Sequence, residues 1–163
     1  GIDFFYLDVM SSGLECEIAL KAIESYNLPV LVGIHLRDNG KLPSAEKVID
    51  IVKKYKNNKW LGIIMACISP GAYELVINDL QKLDIPYGFK LNAFKKIPEG
   101  YTVASKDQWG NAGNPITVLG KNSDLNESKF YEYAKKFMKN GATILGGCCE
   151  IKPSHIKEIA KLK

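Results

Sequence analysis

Arginine is almost absent from this chain of 163 residues, because Arg37 is the only arginine among its 22 basic residues. Lysines scattered along the chain carry the net charge of +4. Surfaces that bind nucleic acid favour clustered arginine with stacking aromatic side chains, so we expect no nucleic-acid partner. An apolar run of about 18 residues is also missing, so we expect no membrane-spanning helix.

Cysteine is scarce, with four in the chain: Cys16, Cys67, Cys148 and Cys149. The sequence opens without a basic leader, so no signal peptide is expected and a cytoplasmic location is predicted. Adjacent cysteines rarely bridge each other, and the chain is not a small secreted scaffold. Reduced thiols used for metal binding or catalysis are therefore the preferred interpretation. Cys16 has no partner in the pattern and is interpreted as a small buried residue.

Apolar residues make up 46% of the sequence, enough for a core, and we predict a single domain over residues 1–163. Near-continuous apolar runs, which are typical of parallel strands buried on both faces, occupy residues 2–9, 29–36, 60–67, 87–94 and 142–149. Helical patterns between them cover residues 14–25, 44–55, 70–83 and 127–139, and a last helix begins at Pro153. Ser44 and Ser69 are predicted helix caps. Residues 95–126 are predicted to form a long functional loop, in which Trp109 could cover a ligand.

Five consecutive strand–helix units predict an α/β fold with a parallel sheet and right-handed crossovers. Two architectures fit this order, an open doubly wound sheet or part of an eight-unit barrel. A complete barrel takes about 250 residues, so the chain would form only a fragment of one.

Three of the cysteines follow strands of the predicted sheet at the same edge. Cys67 ends the third strand, and Cys148 and Cys149 end the fifth. Three thiolates that converge there would make a zinc site with one open position. Successive side chains of a strand point to opposite faces, so Cys148 and Cys149 can share a metal only where the pleat breaks. We expect the conformational freedom of Gly146 and Gly147 to provide that break.

The run from Gly146 to Cys149, followed by Pro153 and His155, resembles the C-terminal motif of the homocysteine S-methyltransferase family. The strand from Gly62 to Cys67 is similar to the family's strand that ends in the third zinc cysteine. The resemblance implies a fragment of a zinc-dependent (βα)8 TIM barrel that comprises strands four to eight of the barrel. It also implies Zn²⁺ held by Cys67, Cys148 and Cys149.

The implied activity is a methyl transfer from a sulfonium or amine donor to a small-molecule thiol such as homocysteine, which gives methionine. Zinc would hold that thiol as a thiolate, the reactive form. The resemblance places Asp8 where the family has a glutamate that helps to hold the substrate amino group, and Asn92 in a Pro-Asn-Ala segment. His35 is predicted to face the substrate because it ends the second strand. Ala66 and Glu150 depart from the family pattern, which has Asn and Gly there.

Other functions also fit the residues. The chain could be a non-catalytic zinc-binding half-barrel that assembles with a partner chain, or a thiol redox or metal-binding protein. The first and last strands of the predicted fragment lack the neighbours that a closed barrel would supply. Exposed apolar edges recruit other strands, so we expect self-association or pairing with an N-terminal half-barrel.

Overall fold

The computed structural model of the protein describes residues 1–98 and 115–162. These residues form one five-stranded sheet in the order β1-β2-β3-β4-β5, and all neighbouring strands are parallel. The strands are β1 (Phe5–Met10), β2 (Val30–Ile34), β3 (Trp60–Ile68), β4 (Tyr87–Leu91) and β5 (Ile144–Gly147). The predicted α/β class and the parallel arrangement are confirmed.

Helices follow the strands and pack on one face of the sheet. They are α1 (Gly13–Ile23), α2 (Val48–Tyr55), α3 (Pro70–Leu80), α4 (Pro115–Leu119), α5 (Glu127–Lys139) and α6 (Pro153–Ile159). The predicted cap at Ser69 is confirmed, because its hydroxyl oxygen accepts a hydrogen bond from the Ala72 amide at 3.1 Å. None of the helices within the described residues is long and apolar enough to cross a membrane.

The helix-covered face, here called the outer face, carries the core. Alternate strand residues such as Val32, Ile34, Ile63, Met65 and Phe89 are fully buried there. Large side chains of the helices, including Tyr73 and Phe137, close over them. This alternation is what parallel strands with one helix layer require.

The opposite face, here called the inner face, is strongly curved. Lys90 on β4 donates a hydrogen bond to Asp8 on β1 at 2.5 Å, although two strands lie between them. In a flat sheet, three strand spacings would separate β1 from β4 by about 14 Å. Small residues at Gly33 and Ala66 lie between the two strands. The curvature is compatible with a section of a barrel.

Several predicted boundaries are wrong. The helix predicted to begin at Ser44 begins at Val48, because Ala45 adopts a left-handed conformation with φ 69°. The Ser44 hydroxyl donates to the Glu46 carboxylate at 2.5 Å and caps no helix. The predicted loop over residues 95–126 contains α4, and its residue Lys121 forms a β-bridge with Phe94, which precedes the loop. Trp109 lies outside the described residues.

Candidate metal centre

The sulfur atoms of Cys67, Cys148 and Cys149 all lie within 4.8 Å of one another at the carboxyl edge of the sheet. Cys67 Sγ is 3.6 Å from Cys149 Sγ, and Cys148 Sγ is 3.8 Å from Cys149 Sγ. Two of the side chains are half-buried and Cys149 is exposed. The cluster therefore has an open side toward solvent.

Cys67 reaches this cluster through a β-bulge in β3. Ala66 pairs with Lys90 and Ile68 pairs with Leu91, so Cys67 has no opposite residue on β4. Its φ of 55° is left-handed, a conformation that few non-glycine residues adopt. By simple alternation Cys67 would point into the core, but the extra residue leaves Ile68 fully buried there. The bulge therefore allows the Cys67 side chain to join the cysteine cluster at the edge of the sheet.

Cys148 and Cys149 follow β5 in a turn that is tied to β4 on both sides. The Cys148 amide donates to Leu91 O at 2.7 Å, and the Ala93 amide donates to Cys149 O at 2.9 Å. The turn closes where the Ile151 amide donates to Cys148 O at 3.1 Å. These bonds hold both thiols beside the end of β4.

The prediction that Gly146 and Gly147 provide the break in the pleat is wrong. The left-handed residue in this segment is Glu150, with φ 65°. Gly147 serves close packing instead, because a Cβ there would lie 2.3 Å from Ile151 Cγ2. The break arises because the strand ends at Gly147, one residue before the first cysteine.

Asn92 supports the Cys67 bulge from the end of β4. Its Nδ2 donates to Cys67 O at 2.7 Å and lies 3.9 Å from Cys67 Sγ, and its Oδ1 accepts from the Phe94 amide. The side chain is 1% exposed. A buried amide with its hydrogen bonds satisfied in this way holds the strained residue in place.

The three thiols differ in acidity. A hydrogen bond from Cys67, together with the positive charge of Lys90, lowers the pKa of Cys148 to about 6. The same bond and burial raise the pKa of Cys67, and burial raises the pKa of Cys149. Of the three thiols, Cys148 therefore loses its proton most readily.

The cluster fits a zinc ion by distance and by donor type. Tetrahedral zinc with Zn–S bonds of about 2.3 Å separates two sulfur ligands by about 3.8 Å. The distances from Cys149 Sγ to the other two sulfur atoms, 3.6 and 3.8 Å, match that spacing. Three thiolates would occupy three positions of the tetrahedron and leave the fourth on the open side.

His35 and His155 have different surroundings. His35 is half-buried with Nδ1 3.2 Å from Ala66 O, and burial lowers its pKa, so the ring is neutral at pH 7. His155 is buried, and its Nδ1 accepts from the Lys152 amide while Nε2 lies 3.1 Å from Leu125 O. Both nitrogens of His155 thus serve local structure at the start of α6.

Tyr6, Asp8 and Lys90 form a second polar group on the inner face, here called the ion-pair cluster. Lys90 Nζ bonds Asp8 and lies 5.3 Å from the centre of the Tyr6 ring. Burial, and then a side-chain hydrogen bond to Asp8, raise the pKa of Tyr6. Sequence analysis predicted Asp8 as a site residue and missed Tyr6 and Lys90. The signal was a lysine inside the otherwise apolar run at residues 87–94.

The comparisons with known proteins bear on the same residues. No curated protein matches the chain. The sequence model of the homocysteine S-methyltransferase family matches residues 1–162, which include the three cysteines and the ion-pair cluster. Because this match spans nearly all of the 163 residues, the chain belongs to the homocysteine S-methyltransferase family.

Proposed function

We propose that the chain carries the zinc site of a methyltransferase that moves a methyl group from a sulfonium or amine donor to a thiol such as homocysteine, giving methionine. The observation that carries the proposal is the convergence of three thiols within 4.8 Å on one open edge of the sheet. Membership of the family supports the class of reaction.

The proposed ligands are Cys67, Cys148 and Cys149. When bound, zinc would supply the Lewis acidity that keeps an acceptor thiol deprotonated at neutral pH. In the transfer, the acceptor sulfur attacks the methyl carbon and the bond from that carbon to the donor atom breaks. The donor keeps the electron pair, so a sulfonium donor leaves as a thioether and a quaternary amine leaves as a tertiary amine.

The protein contributes position and charge to this reaction. Asn92 holds the Cys67 backbone by its bond to the carbonyl, which keeps the Cys67 sulfur facing the other two. Lys90 favours the thiolate form of Cys148. His35 stays neutral, because burial lowers its pKa, and its edge position fits the proposed substrate-facing role. Asp8 and Asn92 are the other proposed substrate-facing residues.

We also propose that the chain, as part of a barrel in a cytoplasmic enzyme, associates with a second copy or with an N-terminal half-barrel. Apolar side chains near β1 and on α1 support this, since Ile2 is 59%, Phe4 43%, Leu14 66% and Ile18 60% exposed. Soluble monomers rarely expose a large apolar patch. Sedimentation of the purified chain tests the proposal, and a stable monomer at all concentrations would contradict self-association.

The proposed metal site is tested by substitution and metal analysis. We expect about one zinc per chain, and loss of it in each of the variants Cys67→Ser, Cys148→Ser and Cys149→Ser. Cys16→Ser is the matched control and should keep its zinc. Each variant should also lose methyl transfer to homocysteine in the complete barrel.

The outcomes separate the candidate functions. Zinc binding without methyl transfer in a complete barrel would favour the non-catalytic half-barrel. A chain that binds no zinc and cycles reversibly between thiol and disulfide forms would favour a redox protein. Zinc retained in all three cysteine variants would contradict the proposed ligands.

A further inference from the structure

Lys90 is an unusual residue for the inner face of a curved sheet. Its side chain is 20% exposed, and its Cγ lies 3.8 Å from the position that a Cβ on Gly146 would take. A lysine shielded to this degree needs a partner for its charge, because desolvation disfavours an isolated ammonium. Asp8 is that partner, at 2.5 Å across the inner face.

The same contact occupies Asp8. Its carboxylate bonds Lys90, and the neighbouring Tyr6 hydroxyl also hydrogen-bonds it. The Asp8 carboxylate therefore already has a cationic partner, and a ligand ammonium would compete with Lys90 for it. A cationic group that entered here would have to displace Lys90 and leave that ammonium without its partner.

Lys90 retains hydrogen-bonding capacity after the contact with Asp8. An ammonium has three N–H donors, and the Asp8 contact uses one of them. The centre of the Tyr6 ring lies 5.3 Å from Lys90 Nζ, and this cation–π contact stabilises the ammonium charge. Lys90 also lies close enough to the thiols to lower the pKa of Cys148. Lys90 also pairs with Gly146 on β5, two residues before Cys148, so it belongs to the same part of the sheet as the sulfur cluster.

We propose that Lys90 makes the acceptor site selective for a thiol that carries a carboxylate, and that an ammonium group on that thiol contributes nothing to its binding. The inference rests on the proposed function, because it assumes that an acceptor sulfur joins the cysteine cluster. The acceptor chain then runs along the inner face, and its carboxylate forms a charge-assisted hydrogen bond with Lys90. Lys90 supplies the positive charge beside Asp8 that the ammonium group of an amino acid would otherwise supply.

The test compares four small thiols with the same sulfur end, titrated into the zinc-loaded protein by calorimetry. They are 4-mercaptobutanoate, homocysteine, 3-mercaptopropylamine and 3-mercaptopropanol. The first two differ only in the ammonium group. We expect 4-mercaptobutanoate to bind about tenfold more tightly than the neutral and the cationic thiol, and at least as tightly as homocysteine.

Substitutions assign this preference to the ion-pair cluster. Lys90→Met should remove the tenfold advantage of the carboxylate and improve binding of 3-mercaptopropylamine, because Asp8 becomes free. Asp8→Asn should strengthen binding of 4-mercaptobutanoate and leave 3-mercaptopropylamine unimproved. It also provides the test if Lys90→Met fails to fold. Lys136→Met is the control, since Lys136 pairs with Glu74 at 2.6 Å on the helices, and it should change nothing.

The failures can be told apart. If no thiol binds, the neutral one included, the proposed function falls and this inference falls with it. If 3-mercaptopropanol binds but Lys90→Met leaves the order of affinities unchanged, the inference alone is overturned. If homocysteine binds about tenfold more tightly than 4-mercaptobutanoate, the inference is likewise overturned, and a zwitterionic acceptor is supported.

Discussion

The outer face of the sheet packs large apolar side chains against the helices, whereas the inner face pairs small residues with a few polar ones. Ile34, Met65 and Phe89 on the outer face are fully buried. On the inner face, Gly33 leaves room for the Tyr6 hydroxyl, which would lie 2.9 Å from a Cβ there. Each strand contributes to both faces by alternation. One face therefore holds the fold together, and the other leaves space for chemistry at its rim.

The largest effect on stability is expected on the outer face. Phe89 lies 5.5 Å from the ring of Tyr73 and 5.5 Å from that of Phe137, all measured between ring centres. Phe89→Ala should lower the free energy of unfolding by about 3–5 kcal/mol, because it leaves a cavity in this aromatic cluster. Urea denaturation measures the loss. A change below about 1 kcal/mol would mean that the outer face does not carry the core.

A smaller effect is expected for a glycine of the inner face. A Cβ on Gly88 would lie 1.7 Å from Ile144 O, so Gly88→Ala must push β4 and β5 apart. We expect a loss of about 3 kcal/mol in the free energy of unfolding. Gly146→Ala is the matched control on the neighbouring strand, because its nearest contact would be 3.6 Å. Equal losses in the two variants would contradict close approach of the strands at Gly88.

The third prediction concerns Asn92, whose substitution should lower both the stability of the fold and the affinity for zinc. Asn92→Ala removes the bond to Cys67 O, and we expect a loss of about 1–3 kcal/mol. Zinc affinity should fall about 10- to 100-fold, as for other residues that orient a metal ligand. Asn126→Ala is the control, because Asn126 caps α5 at 3.0 Å from the Lys129 amide. It should lower stability by about 1 kcal/mol and leave zinc affinity unchanged.

The outer face was largely predictable from sequence, because long apolar runs indicate buried parallel strands. The run at residues 60–67 became β3, and the pattern at residues 127–139 became α5 with the same bounds. Strand ends were less predictable, since the run at residues 142–149 shrank to Ile144–Gly147. Hydrophobic periodicity indicates burial and not strand pairing. Cys148 and Cys149 are apolar enough to extend the apolar run, although the strand ends at Gly147.

The inner face was less predictable, because its geometry depends on contacts between distant strands. Sequence placed Cys67 at the correct strand end but could not show the bulge, which is a property of the pairing with β4. Val9 adopts a similar left-handed conformation, with φ 59°, where β1 changes register against β2. Likewise, the contact of Lys90 with Asp8 joins residues on β4 and β1 and exists only because the sheet curves.

The smallest effect is expected at Cys16. The reactivity of this thiol should differ from that of the thiols in the cysteine cluster. Burial raises the pKa of Cys16 to about 12, and its side chain is 0% exposed. Alkylation requires the thiolate, so at pH 8 the folded, zinc-free protein should react with iodoacetamide at Cys148 and at the exposed Cys149, whereas the raised pKa values of Cys67 and Cys16 should protect both thiols. Cys148 should react first, because its pKa of about 6 leaves it ionised at that pH. Peptide mass spectrometry counts the labelled thiols, and unfolding in urea should expose the other two. Cys16→Ser should leave the native count at two, whereas labelling of Cys16 as fast as Cys149 would place it outside the core.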